Sequence, residues 1–379
     1  MKMQLEKING EWIMKCCMES DPKRLKTQED LLLTVREIGF IPLFANSIAG
    51  FSVEERTIET AWWTGDAKTD PWEWRILLSS NSEVAYGKFF DKKAGFIHRD
   101  FFPVFANYRR NGYDYDSLYD DGLASFRSKK IMDAFGLNDD AVGKEIMGNE
   151  LKEIAGFGED SEEKNFNGVL TDLQMQTYLI MSSFKQRKNK KGEDYGWHIA
   201  VMGTPETKWG YDYITSCYSE DPSVSWNRIV EQINRFFPNA DESQIKKVLG
   251  IRYPGTESVA KKRGRKALEK PKKVKLIWPE NILKEIGNVP MRLNEDQMLG
   301  LQYVISNLPD REKKIIRHKF EEGMTCRAIS EFFGVTPNRI SQIKNKALRR
   351  LRHPIRSNYI RNGYEGNTRI IQGNRSGGV

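Results

Sequence analysis

The sequence predicts an α+β N-terminal region of winged-helix type, joined by a basic linker to an all-α helix-turn-helix domain. Three observations carry that prediction. Charge is split along the chain: residues 251–379 hold 28 Lys and Arg against 12 Asp and Glu, a net of +16, whereas residues 1–250 carry a net of −8. Two β-prone runs, TYLIMSSFK and YGWHIAVMG, flank a polar, Gly-containing turn around Asn189 to Asp194 and follow two helical stretches. Two helices and then a hairpin outline a winged helix. Near the C-terminus, two amphipathic stretches meet at Gly334, each opened by a Thr whose hydroxyl suits a helix N-cap.

Length and composition set the frame. A chain of 379 residues suggests two or three domains. With 39% hydrophobic residues, 19 Phe and 9 Trp, it has the material for real cores. No stretch approaches the roughly 18 apolar residues of a membrane helix. The greasiest run, Ile38 to Phe51, contains Pro42, Asn46 and Ser47, and the short Trp12 to Met18 run is interrupted by Lys15. A cytoplasmic, nucleoid-associated protein with no membrane partner is therefore expected. Cys16, Cys17, Cys217 and Cys326 lack metal-ligand spacing, and His98, His198, His318 and His353 are scattered. Reduced, buried thiols, no metal and no cofactor are the expectation.

The elements follow in chain order. Residues 1–27 read as an amphipathic N-terminal extension, and 28–250 as the mixed, aromatic-rich winged-helix region. Within it, Gly148 to Gly156 predicts a helix with Leu151, Ile154 and Ala155 on one face, and Ser161 to Gln176 a second helix. The carboxylates of GEDSEEK, Gly158 to Lys164, suit the start of that helix but repel phosphate. The wing has the opposite sign, with five cations in KQRKNKKG. Asp114, Asp116, Asp120 and Asp121, beside Tyr113, Tyr115 and Tyr119, read as a solvated acidic loop. No internal repeat is legible.

Residues 251–279 form the linker. Its core, KKRGRKALEKPKKVK, holds nine positive charges and one negative, which cannot bury themselves and attract phosphate without sequence preference. Residues 280–356 make the helix-turn-helix domain, and 357–379 a disordered tail.

The segment Leu308 to Pro354 is the most informative. Asp310 can cap a helix whose inner face holds Ile315, Ile316 and Phe320. Thr325 caps the next, with Ala328, Ile329 and Phe332 inward, and Gly334 stops it. Thr336 caps again, and Pro337 takes the first helical position. The last helix buries Ile340, Ile343, Ala347 and Leu351 and turns Asn338, Ser341, Gln342, Asn345 and Arg349 outward. In a helix-turn-helix the second helix enters the major groove by its N-terminal end, so Asn338, Ser341, Gln342 and Asn345 are the candidate base readers. Arg311, Arg327, Arg339, Lys344, Lys346, Arg349 and Arg350 are the candidate phosphate contacts.

At these residues the segment resembles the fourth conserved region of bacterial housekeeping sigma factors. The LPxRE opening, the G-V-T turn, the R-I-x-Q-I start and the KALRRLRHP finish all match. The resemblance implies duplex DNA as a partner, reading of a promoter −35 element, and contact with core RNA polymerase. The family opens its recognition helix with Arg-Glu-Arg and places another Arg before its Gln. Here those positions are Pro337, Asn338, Arg339 and Ser341, so only Arg339 and Gln342 are kept. No segment resembles the sigma regions that clamp polymerase or melt DNA.

Residues 30–215 resemble proteins related to the AlkZ-like winged-helix DNA glycosylases, which excise alkylated or crosslinked bases. PWEWR at Pro71 to Arg75, the run Ala85 to Arg110, YDDGLAS at Tyr119 to Ser125 and LQMQTYL at Leu173 to Leu179 carry the resemblance. That family positions a water with an early Gln-x-Gln or Gln-x-Asp. The early segment here is GFIPLF, Gly39 to Phe44, and the one Gln-x-Gln is Gln174-Met175-Gln176. Gln174 and Gln176 are thus the alternative catalytic pair, against a simpler reading as polar residues on a half-exposed strand or helix end. The expected function is bacterial sequence-specific DNA binding tied to transcription. The alternatives are a glycosylase delivered to DNA by its C-terminal domain and an adaptor for RNA polymerase.

Overall fold

The computed structural model describes residues 6–8, 11–136, 144–158, 163–188, 191–250 and 280–368. The chain divides into two compact units, Met1–Lys262 and Arg263–Val379. The linker expected over 251–279, turn residues 189–190 and tail residues 369–379 lie outside the described residues.

The first unit runs β1 (Glu6–Ile8), β2 (Glu11–Ile13), α1 (Gln28–Ile38), β3 (Phe40–Pro42), α2 (Pro71–Ser79), β4 (Val84–Phe90), β5 (Lys93–His98), α3 (Phe102–Arg110), α4 (Tyr115–Asp120) and α5 (Phe126–Asp133). It continues with β6 (Ile146–Met147), α6 (Gly148–Ile154), α7 (Phe166–Met175), β7 (Ile180–Lys188), β8 (Asp194–Gly203), α8 (Pro205–Trp209), α9 (Tyr211–Ile214), α10 (Pro222–Phe236) and α11 (Glu242–Leu249). The second unit is α12 (Glu280–Ile286), α13 (Glu295–Ser306), α14 (Asp310–Phe320), α15 (Cys326–Phe333), α16 (Pro337–Arg352) and α17 (Pro354–Asn362).

One six-stranded antiparallel sheet, ordered β3-β5-β4-β7-β8-β6, organises the first unit. The same connectivity occurs twice in it. In α1-β3-α2-β4-β5 the short strand β3 pairs with the second hairpin strand, Phe40 facing Ile97. In α5-β6-α6-α7-β7-β8 the short strand β6 does the same, Ile146 facing Met202. The two hairpins join at Tyr86 and Met181. What repeats is the order of elements and the strand pairing.

Each half fills its own core. Leu31, Val35, Phe40, Trp74, Phe89, Phe96 and Phe105 lead the first, which α10 and α11 close with Ile229, Ile233 and Leu249. Met14 and Leu25 belong to this core, so the expected N-terminal extension is partly integral to the unit. Ile131, Phe135, Ile146, Leu151, Leu173 and Leu179 lead the second. Thr27 opens α1 with a capping box: its hydroxyl accepts from the Asp30 amide at 3.2 Å, and the Asp30 carboxylate accepts from the Thr27 amide at 3.1 Å. Such caps are worth about 1 kcal/mol.

Several local expectations change. Ile154 points to solvent, because α6 ends there after seven residues and only Leu151 and Ala155 turn inward. Helix α7 starts at Phe166, after Asn165 takes a left-handed φ of 68°. Glu163 therefore precedes the helix and pairs with Arg127 at 2.6 Å and Lys130 at 3.4 Å; residues 159–162 lie outside the described residues. The expected acidic loop is instead α4. Asp114 and Asp121 are buried, and Asp114 accepts from the Tyr211 hydroxyl at 2.5 Å. The four cysteines are free and half-buried, and burial, aided by Glu54, pushes the Cys16 thiol up to about 12.

Two neighbouring arginines at the end of α3 are buried by the fold. Arg110 bonds Glu206 at 2.5 Å and the Thr177 carbonyl at 2.6 Å, with its guanidinium over the Tyr178 ring. Burial pulls its pKa down, but Glu206, Tyr218 and Tyr178 outweigh that and leave it raised. Arg109 donates to the Phe89 and Leu249 carbonyls, and burial lowers its pKa to about 9. Together they fasten α3 to β4 and α11 on one side and to α8 and the turn after α7 on the other.

In the second unit the tail differs most. Residues 357–368, expected to be loose, are largely helical, through α17 and a further turn at 364–368. Pro354 begins α17, a position where its missing N–H costs nothing. Ile360 is buried, and Tyr359 and Tyr364 pack on Tyr303 at 4.8 and 4.9 Å. Gly300 makes this approach possible, since a Cβ there would overlap the Tyr359 carbonyl. Gly300→Ala is expected to destabilise the second unit by about 2 kcal/mol through overpacking, and thermal melting of the variant checks it.

Candidate nucleic-acid interface

The interface is built from caps and a small core. Proline 309 holds the N-cap position of α14, and Asp310, expected as the cap, is its first helical residue, where a carboxylate suits the helix dipole. Thr325 accepts from the Ala328 amide and Thr336 from the Arg339 amide, each at 3.2 Å. Gly334 closes α15 in the left-handed region, φ 65°, and the Val335 amide returns to the Ser330 carbonyl at 3.1 Å. That reverse bond ends α15 so that α16 starts three residues later in a new direction.

Ile315, Ile329, Ile340 and Ile343 pack the joint between α14, α15 and the start of α16. Further along, Ala347, Leu348 and Leu351 join Ile316, Phe320 and Leu301 in the larger core. Phe332, expected inward, is 74% exposed, and Phe333 takes its place against the small core. The reason is helix phase: α15 ends at 333, and 333 rather than 332 falls on the stripe of Ile329.

The candidate base readers come together on the open side of α16. Asn338 is exposed, and Ser341, Gln342 and Asn345 are half-buried. Arg339 donates to the Gln342 side-chain oxygen at 3.4 Å, so the two residues kept from the resembled pattern touch each other. Arg311 lies half-buried on α14, Arg327 exposed on α15, and Lys344, Lys346 and Arg349 half-buried on α16. Helix α16 holds six Lys and Arg and no carboxylate.

Arg350 is the correction. It is 3% exposed, and its Nε lies 3.2 Å from the buried Glu312 Oε2 on α14. It packs inside the domain and presents nothing to a phosphate. Its place in the RR pair of KALRRLR hides this, because adjacent arginines on a helix point about 100° apart. Glu312, the acid of the LPDRE opening, is the functional partner that sequence reasoning missed. Arg352, likewise, donates to the Glu285 carbonyl at the end of α12, at 3.0 Å from Nε.

The alternative catalytic pair separates. Gln174 lies in α7, is buried, and spends its amide on structure: Oε1 accepts from the Lys88 amide at 3.0 Å, and Nε2 donates to the Leu170 carbonyl at 3.2 Å. Gln176 is the half-buried C-cap of the same helix. No cluster of His, Cys, Asp and Glu suited to a metal occurs among the described residues, and no helix there is long and apolar enough to cross a membrane.

Comparison with known proteins agrees with this division. Residues 304–353 match the family described as Sigma-70, region 4. The RNA polymerase sigma factors SigA of Listeria monocytogenes and Listeria innocua are each 42% identical over 69 residues, 17% of this chain. The chain covers 18% of the length of either relative. No solved structure matches. Residues 25–250 match the family described as AlkZ related, and since that is more than half of its 379 residues, the chain belongs to the AlkZ-related family.

Proposed function

We propose that this chain is a bacterial, sequence-specific DNA-binding protein tied to transcription. Its duplex reader is α16, and its two helix-and-hairpin halves are winged helices. The proposed organisation keeps a winged-helix region over 28–250, a basic linker over 251–279 and a DNA-binding domain over 280–356. The observation that carries the reading is the open N-terminal part of α16. There Asn338, Ser341, Gln342 and Asn345 form an uncharged polar strip flanked by Arg339, Lys344, Lys346 and Arg349. Amide side chains can grip a base edge through two hydrogen bonds, whereas ammonium and guanidinium groups neutralise phosphate.

Competition between a selected and a scrambled duplex tests it. Gln342→Ala should cost about 1–3 kcal/mol at the selected site and little on the scrambled one. Lys346→Ala should weaken both alike and make the salt slope shallower by about one. Equal loss on both duplexes for Gln342→Ala would remove that residue from base reading.

The likeness of 304–353 to sigma region 4 supports core RNA polymerase as a second partner, tested by co-purification with the tagged chain. The glycosylase reading draws no support from Gln174, whose amide is already committed to the fold. We expect no base release from alkylated or crosslinked duplexes; release that disappears in Gln176→Ala would reinstate it.

A further inference from the structure

A row of aromatic rings runs through the first unit from one helix-and-hairpin half to the other and reaches the surface at both ends. Phe44 stacks on Trp62 at 6.0 Å and meets Trp72 at 6.4 Å. Trp63 adjoins Trp62 at 5.7 Å, and Trp72 meets Trp197 edge-to-face at 6.2 Å. Both ends are open, with Trp63 53% and Trp197 67% exposed. Trp63 is also held at a φ of 59°, a region bulky residues seldom occupy. Between the two ends, Phe44 and Trp72 are half-buried and Trp62 is buried in the core, so the row is anchored in the fold and opens to solvent at its ends. Large aromatic rings left open on a surface mark contact sites.

A buried cation lies under the row. The Arg75 guanidinium sits 3.8 Å from the Trp72 ring centre and 4.6 Å from that of Phe184. Arg75 is only 5% exposed, and its Nε, like Trp72 Nε1, has no hydrogen-bond partner among the described residues. A buried donor left unpaired is costly, and the Trp72 indole above it is half-buried. The hairpin that carries Trp197 adds the exposed Lys185, Arg187 and Lys191, against Glu193 and Asp194. Flat π faces beside a cationic arm fit a ligand that is itself flat, aromatic and polyanionic.

We propose that Trp63, Trp72 and Trp197 form a stacking platform for unstacked bases of a DNA strand, with the β7–β8 arm holding its phosphates. The choice of DNA rests on the duplex-binding reading above; the platform itself does not. Stacking accepts any base, because every base has a π face. The first unit would thus hold opened DNA without sequence preference.

The full-length chain tests this by anisotropy with three labelled probes: an oligo(dT), an abasic oligomer of equal length and a duplex. Oligo(dT) should bind at least about tenfold more tightly than the abasic strand. Trp197→Ala should weaken oligo(dT) about tenfold, the loss typical of one stacked base, and Trp197→Phe should recover most of it. Abasic and duplex affinities should stay unchanged. Trp63→Ala gives a second reading at the other exposed end. Equal affinity for the oligo(dT) and abasic strands, or wild-type oligo(dT) binding in both alanine variants, overturns the platform. So does loss of duplex affinity in step with oligo(dT), which would place the strand elsewhere. Loss of wild-type duplex binding alone would strike the earlier reading and leave this one standing.

Discussion

The fragment 251–379 is expected to bind duplex DNA by itself, with an affinity that falls steeply as salt rises. Its net charge of +16 contrasts with −8 for the rest of the chain, so the attraction to a polyanion resides there. The structure also revises how many phosphates it is expected to meet. Seven cations are candidates by sequence pattern, and burial of Arg350 removes one. Arg311, Arg327, Arg339, Lys344, Lys346 and Arg349 remain. If each neutralises one phosphate, log K falls against log salt with a slope of about −5. Affinity then drops about a thousandfold between about 50 and 200 mM salt. Filter binding across that range reads the slope directly. A fragment that binds with no salt dependence, or fails to bind while 1–250 succeeds, would overturn the placement of the duplex interface.

How far the sequence foretold this molecule depends on where each signal resides. The helix-turn-helix was legible almost residue by residue, because its boundaries are set locally. Thr325 and Thr336 bond amides three residues on, and Gly334 takes the left-handed turn. The α7–β7–β8 outline was legible for the same reason. Long-range contacts were not. Burial of Arg350 requires knowing that Glu312, 38 positions earlier, lies across from it. The order of α17 requires Gly300 on a separate helix to admit the Tyr359 backbone. The doubled architecture of the first unit shows only in which strands pair, and the aromatic row only when Phe44, Trp72 and Trp197 meet. Gln174 lies at the helix end the simpler reading expected, but it is buried, not half-exposed, because spacing alone cannot show that its amide accepts from the Lys88 backbone.

The second large effect is expected at Arg350, and it separates architecture from DNA contact. Arg350 and Glu312 are 3% and 5% exposed, with Nε and Oε2 3.2 Å apart. Removing one member of a buried ion pair strands the other charge away from water, at a cost of about 3–5 kcal/mol. Whole domains are stable by only about 5–15 kcal/mol, so Arg350→Ala should leave the second unit partly unfolded. Its melting temperature should fall sharply, and binding to every duplex should be lost together with the helical signal. Replacing both partners by apolar residues of similar length, Glu312→Met with Arg350→Met, leaves no charge stranded and should recover most of the stability. Lys346→Ala, four residues earlier on the open side of α16, should melt like the parent and lose only affinity. Denaturation followed by circular dichroism, beside salt-dependent binding for each variant, distinguishes the cases. If Arg350→Ala melts like the parent and merely makes the salt slope shallower by about one unit, then Arg350 faces phosphate. The buried pair with Glu312 would then be wrong, and α16 would sit on its domain in a different rotation from the one described.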